Sequence, residues 1–155
     1  MNLTIEKERP DSVDAIELIG ELDEFLNPQY PAESRHGYSV EALIEQKVDF
    51  FVARYNGEAV GCAGVQFYEE SLLSYGEVKR MYVRPAARGL GIAKSLLLAL
   101  EHCAAENSIT TLRLETGIYQ ADAIGLYEKF GYYHVPPYGD YIEDPNCIFY
   151  EKKIG

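Results

Sequence analysis

Val83-Arg84-Pro85-Ala86-Ala87-Arg88-Gly89-Leu90-Gly91-Ile92-Ala93-Lys94 is the stretch on which the fold turns. An apolar, period-two run ends at Val83, and an apolar helical period begins at Ile92. The segment is therefore a strand–loop–helix joint. Two glycines and two alanines let main chain come close to a ligand. The first N–H groups of a helix lack intrahelical partners, and the helix dipole favours negative charge there. A phosphate is the natural occupant. Three phosphate loops share this context. The Walker pattern G-x-x-x-x-G-K-[ST] finds its end in Ala93-Lys94-Ser95, but Ala93 and Arg88 stand where its glycines belong. The dinucleotide fingerprint G-x-G-x-x-G starts at Gly89-Leu90-Gly91 and fails at Lys94. A third pattern, (Arg or Gln)-x-x-Gly-x-(Gly or Ala), is met in full by Arg88, Gly91 and Ala93.

Working outward, strands and helices alternate. Leu3 to Glu8 reads as a strand, and Asp11 or Ser12 caps a helix carrying Val13, Ile16, Ile19, Leu22 and Phe25 at helical spacing. Asn27 to Tyr38 is a loop, and Ser39 caps a short helix through Gln46. Asp49–Tyr55 and Glu58–Tyr68 form a hairpin about Asn56-Gly57, a type I′ signal. Glu77 to Val83 is the next strand. After the loop come a helix from Ile92 to Glu106, with Ile92, Leu96, Leu100 and Cys103 on one face, and a strand from Thr110 to Glu115. A helix from Gln120 to Phe130, a strand starting at Gly131 and a closing strand from Cys147 to Lys152 complete the chain. Antiparallel hairpins followed by strand–helix units predict an α/β (α+β) sandwich with a mixed, mostly antiparallel sheet flanked by helices. At 155 residues, 1–155 is expected to be one domain.

Fourteen Lys and Arg face 25 Asp and Glu, a net charge of -11. That excludes a general nucleic-acid binder, which needs a basic face. The charge is unevenly spread. Met1 to Glu77 carries five basic and sixteen acidic residues; Val78 to Gly155 carries nine of each. Lys79, Arg80, Arg84, Arg88 and Lys94 form a basic island with no acid between Val78 and Leu100. No apolar run approaches the ~18 residues of a membrane span, and the first residues lack a secretory signal pattern, so a cytoplasmic protein without a membrane partner is expected. Cys62, Cys103 and Cys147 are widely spaced, as are His36, His102 and His134, so reduced thiols and no metal site are expected.

The third loop pattern belongs to the GNAT acetyltransferase superfamily, which the chain resembles along nearly its whole length. Gly76-Glu77-Val78-Lys79-Arg80-Met81-Tyr82-Val83-Arg84-Pro85 resembles that family's central strand, and Ala123-Ile124-Gly125-Leu126-Tyr127-Glu128-Lys129-Phe130-Gly131-Tyr132 its next conserved segment. The resemblance implies acetyl-CoA as acyl donor, with no metal. It implies donor contacts from Met81, Tyr82 and Val83 on the strand, and from Arg88, Gly89, Leu90, Gly91, Ala93 and Lys94 at the loop. Gln120 and Lys129 are the remaining donor contacts it implies, although many members have Asn where this chain has Gln120. Main-chain N–H groups of Met81 and Val83 would face a splay beside the next strand. Homodimers are common in the family, so a homodimer is also compatible with it.

Acetyl transfer to an alkyl amine needs the neutral amine, which is only about one part in 10³ of the total at pH 7. Period-two geometry puts Glu77, Lys79, Met81 and Val83 on one strand face. Glu77 is the candidate base, since a carboxylate beside apolar neighbours has its pKa raised, and it aligns with the glutamate of histone-type members. Tyr127 is the candidate acid; it resembles the family tyrosine near the thioester sulfur and shares a helix face with Ala123 and Gln120. The expected activity is N-acetyl transfer to a primary amine of a small molecule. The acidic first half suggests a cationic amine or polyamine, and the loop Asn27 to Tyr38, with Tyr30, Arg35, His36 and Tyr38, is the candidate acceptor lid. Arg35 points the other way, because it suits a substrate carboxylate. Tyr138 to Pro145, acidic and aromatic, is read as a solvated loop more than as an acceptor rim. A non-catalytic acyl-CoA sensor would keep the loop without needing Glu77 or Tyr127.

Overall fold

A computed structural model describes residues 2–69 and 73–154. Seven strands form one sheet: β1 (Leu3–Lys7), β2 (Asp49–Tyr55), β3 (Glu58–Glu69), β4 (Ser74–Val83), β5 (Thr111–Gly117), β6 (Tyr133–Val135) and β7 (Cys147–Lys153). Their order across the sheet is β1-β2-β3-β4-β5-β7-β6. Every pairing is antiparallel except β4 with β5. Four helices complete the fold: α1 (Val13–Leu26), α2 (Val40–Glu45), α3 (Ile92–Glu106) and α4 (Ala121–Lys129). The mixed, mostly antiparallel sheet between helices is the expected architecture.

Local chemistry sets the joints. The Ser12 hydroxyl accepts from the Ala15 N–H at 3.1 Å and Ser39 from Ala42 at 3.1 Å, so both helices start on a side-chain cap. Asn56 and Gly57 have φ of 52° and 85°, as a type I′ turn demands, and Tyr55 pairs with Glu58 across it. One expectation fails on α1. Its buried face is Ala15, Leu18, Ile19 and Leu22, whereas Val13 is 81% exposed and Ile16 50%. The apolar residues wrap wider than one stripe, and the sheet selects the stripe that fits beneath it.

Two clusters flank the sheet. One unites α3 with α4 through Leu96, Leu100, Leu112, Leu114 and Tyr127; the other packs α1 and Leu43 of α2 on Phe50, Val52, Cys62 and Tyr82. Strand β4 serves both clusters, and the expected alternation along it breaks. Cys62 pairs with Tyr82 and Gly64 with Lys79, so Ala63 alone opposes Arg80 and Met81. Arg80 takes φ of 54° in this bulge. The inserted residue reverses the parity. Glu77 and Lys79 lie on the α1 side, where Lys79 sits 4.1 Å over the Tyr38 ring. Beyond the bulge Arg80 and Tyr82 take that side, while Met81 and Val83 pack with the α3 cluster. Glu77, Lys79, Met81 and Val83 therefore do not share one face.

Candidate active site

The bulge matters because β4 and β5 part just before it. Their parallel ladder consists of Gly76 with Leu112 and Glu77 with Arg113, and goes no further towards Val83. The Arg84 N–H donates to Val60 O at 2.8 Å. Antiparallel alternation then turns the Val83 N–H away from β3, towards the gap. A main-chain strip without a strand partner results, and an amide-bearing chain can pair with it.

A groove of about 770 Å³ runs along this gap. At one end is the N-terminus of α3. Gly91, with φ of 77°, stands at the cap position and offers no side-chain oxygen to the first helical N–H groups. Those donors stay available for an anion. Gly89 also takes positive φ, at 84°. Arg88 and Lys94, both exposed, line the groove beside them, and Lys129 joins from α4. Arg88 and Lys94 have no carboxylate partner among the described residues. Arg88 spans Val83 O at 3.2 Å and the Phe25 ring at 5.8 Å. Met81, Tyr82, Val83, Gly89, Gly91, Ala93 and Gln120 line the groove as well. Leu90 does not; it is 46% exposed between the two positive-φ glycines.

The other three cations of the basic island are engaged. Arg80 pairs with Asp23, Arg84 with Glu17 and Glu21, and Lys79 with Glu77. Acids of α1 thus neutralise two of the five island cations, and the net charge of the first half does not describe an acidic cavity.

A second cavity, of about 390 Å³, lies on the α1 side. It shares Leu22, Met81, Gln120, Ala123 and Tyr127 with the groove, so the two spaces meet at Tyr127. Tyr127 is 5% exposed, and no other described residue hydrogen-bonds its hydroxyl. Burial, then the nearby Glu115, push its pKa above the ordinary phenol value, so it remains a proton donor at neutral pH. The Gln120 amide donates to Tyr30 Oη at 3.0 Å and Gln29 Oε1 at 3.2 Å, which leaves its carbonyl oxygen as an acceptor.

Glu77 lies in the wall of this second cavity, 3% exposed. Its neighbours are polar, contrary to expectation: Lys79 Nζ at 3.1 Å and the Tyr141 hydroxyl, which donates at 2.6 Å. The cavity carboxyl outside any ion pair among the described residues is Glu115, which the Cys147 thiol hydrogen-bonds and which sequence reasoning missed. Burial pushes its pKa up to about 7; the Cys147 hydrogen bond opposes the rise, the charge of Glu77 adds to it, and Lys79 opposes it. Only the folded arrangement identifies Glu115; in sequence it is one acid among 25.

The loop 27–38 covers the cavity and is firmly fastened. Tyr30 is buried, accepts from the Tyr119 N–H at 3.1 Å and lies over Gly117, where a Cβ would fall 2.0 Å from its hydroxyl oxygen. The tract 138–145 is partly solvated and partly wall: Asp140, Ile142 and Glu143 are exposed, whereas Tyr141 faces the cavity, Tyr138 is buried, and Asp144 accepts from the Ser34 hydroxyl at 2.7 Å. His36 and Cys147, far apart in sequence, meet there with Asp144, their ligand atoms within 4.8 Å of one another. By donor type these three could hold a metal; Asp144 also accepts from the Asn146 N–H at 2.8 Å. No helix among the described residues is long and apolar enough to cross a membrane.

Residues 19–132 match the Acetyltransferase (GNAT) family. The chain belongs to that family. An IAA acetyltransferase from Azospirillum brasilense is 42% identical over 153 residues, 99% of either chain. A Klebsiella pneumoniae structure assigned to the acyl-CoA N-acyltransferases is 35% identical, with a TM-score of 0.82 over 99% of this chain and 98% of that one. The PaiA N-acetyltransferase of Thermoplasma acidophilum, solved with coenzyme A, shares the fold at 21% identity, with a TM-score of 0.74 over 99% of each chain. GNAT membership makes the chain an acyltransferase with acetyl-CoA as donor, and the groove suits such a donor: uncapped helix N–H groups and unpaired cations at one end, a main-chain strip in the middle, and Tyr127 at the far end.

Proposed function

We propose that the protein transfers acetyl from acetyl-CoA directly to a primary amine of a small molecule. The observation that carries this reading is the meeting of groove and cavity at Tyr127. A thioester lying along β4 and an amine entering under loop 27–38 would come together there, and holding reactants so is itself a large part of catalysis.

The donor pyrophosphate sits on the α3 N-terminus between Arg88 and Lys94, and the pantetheine arm pairs with β4 through Val83. Glu115 takes a proton from the bound ammonium, directly or through one water. Its pKa suits a base at neutral pH. The amine nitrogen then attacks the thioester carbonyl. The C–N bond forms, the C–S bond breaks, and the Tyr127 hydroxyl gives its proton to the leaving thiolate. The surplus proton on the acylated nitrogen returns, through water, to the Tyr127 oxygen, and the protonated Glu115 gives its proton to solvent, which restores both groups. Glu77 holds Lys79 and Tyr141 in the wall and contributes charge that keeps Glu115 protonatable.

The deciding experiment measures coenzyme A thiol release across amines, amino acids, peptides and IAA, the compound named for the A. brasilense relative. Amine-dependent turnover is expected. Tight coenzyme A binding without turnover on any acceptor would instead describe an acyl-CoA sensor, and turnover on IAA alone would move the acceptor away from amines. Tyr127→Phe is expected to lower kcat about 10²-fold or more with coenzyme A affinity unchanged, as for a proton donor used only in the transition state. An unaltered kcat removes Tyr127 from the reaction.

A further inference from the structure

Arg35, Lys79 and Arg80 face Asp23, Glu77 and Glu115 in the acceptor cavity, and two of these cations are paired, which leaves Arg35 without an ion-pair partner among the described residues. Lys79 is matched by Glu77 at 3.1 Å, and Arg80 is matched by Asp23. Arg35 lines the same cavity and has no carboxylate partner among the described residues. Its guanidinium is nevertheless held in place. Nε donates to Tyr30 O at 3.0 Å and one terminal nitrogen to Asn27 O at 2.8 Å. Those two carbonyls belong to the loop that Tyr30 fastens onto Gly117 and Tyr119. The cation is therefore pre-oriented, with one terminal nitrogen engaged by no described residue. Arg35 is exposed, and its two main-chain carbonyl partners carry no opposing charge, so a guanidinium held this way is matched to an incoming carboxylate. The remaining acid of the cavity is Glu115, and a cavity that held only acids would have favoured a polyamine.

We infer that the acceptor is an amino acid or a close relative, whose carboxylate pairs with Arg35 while its amine reaches the junction at Tyr127. This rests on the acetyl-transfer reading above and narrows it. The cavity, about 390 Å³, suits a molecule of that size. The acidity of the whole chain, which pointed towards cationic amines, is a property of its outer surface and of the α1 ion pairs.

The test uses matched acceptors that differ only in the carboxylate: serine against ethanolamine, tyrosine against tyramine, ornithine against putrescine. For at least one pair the amino acid is expected to have the higher kcat/KM, by about tenfold or more. In Arg35→Gln that preference is expected to fall by a similar factor, chiefly through KM, with Arg35→Lys intermediate because a lysine keeps the charge and loses the fork. Loosening of the loop would weaken both members of a pair alike, so the ratio separates carboxylate recognition from a structural effect, and thermal unfolding of each variant checks the fold. Preference for the decarboxylated member in every pair overturns the inference and leaves acetyl transfer intact. So does a preference that survives Arg35→Gln. No turnover on either member of any pair overturns the acetyl-transfer reading, and the inference with it.

Discussion

The groove and the cavity are both built on β4, yet they differ in how they are made. The groove is local. Its cationic end is a run of seven residues, Arg88 to Lys94, whose two cations have no carboxylate partner among the described residues. The cavity is assembled from a distance. Glu77, Glu115, Arg35 and Tyr141 come from four segments, and its cations except Arg35 are paired with acids. A site for a shared donor needs repeated geometry and free charge. A site for a particular acceptor needs a balance of charges that leaves one or two groups unmatched.

That contrast predicts different failures. The largest effect is expected from Glu115→Gln, which removes the cavity acid that has no cationic partner among the described residues. The rate should fall on the order of 10²-fold at neutral pH, and the rise of kcat/KM through a pKa of about 7 should disappear. A retained limb would exonerate Glu115. The same shift has a sign for stability. A raised carboxyl pKa favours the folded state at low pH, and that advantage is lost as pH climbs from the ordinary carboxylate value through about 7. Chemical denaturation at pH 5 and pH 8 should show Glu115→Gln gaining on the wild type at the higher pH.

An intermediate effect is expected in the groove. Arg88→Ala should weaken coenzyme A several-fold, more at low salt than at high, and leave dephosphorylated pantetheine unaffected. Equal losses for both ligands would break the assignment of this end to phosphate. The smallest effect should come from Glu77→Gln. Removing a charge that helps raise Glu115 should move the ascending limb of the rate profile below 7 without abolishing it. Abolition would return the base to Glu77.

How much of this was legible before folding follows the same division. The helix caps, the Asn56-Gly57 turn and the strand–loop–helix joint between Val83 and Ile92 depend on neighbours in sequence, and each is where it was expected. Tyr127 and Gln120 share a face because a helix has a fixed period. The bulge was invisible, because Arg80 is no signal for positive φ and the extra residue is defined by its partner strand. Glu115 was invisible for a related reason: the groups that act on it, Cys147, Glu77, Lys79 and Asp144, lie about 30 or more residues away in sequence, beyond the reach of any window. The ion pairs of α1 with Arg80 and Arg84 were hidden likewise, which is why a count of charges suggested an acidic cavity that the fold does not contain.

The bulge has a consequence for how β4 tolerates change in length. Substitutions along it alter one side chain at a time. Loss of a single residue at position 80 would exchange the two sides for everything after it, turning the Tyr82 ring towards the aliphatic layer under α3 and Val83 towards Glu21. The strand reads like a sentence with one silent letter: delete it and every later word is misread. Length at this point should be more strictly kept than residue identity.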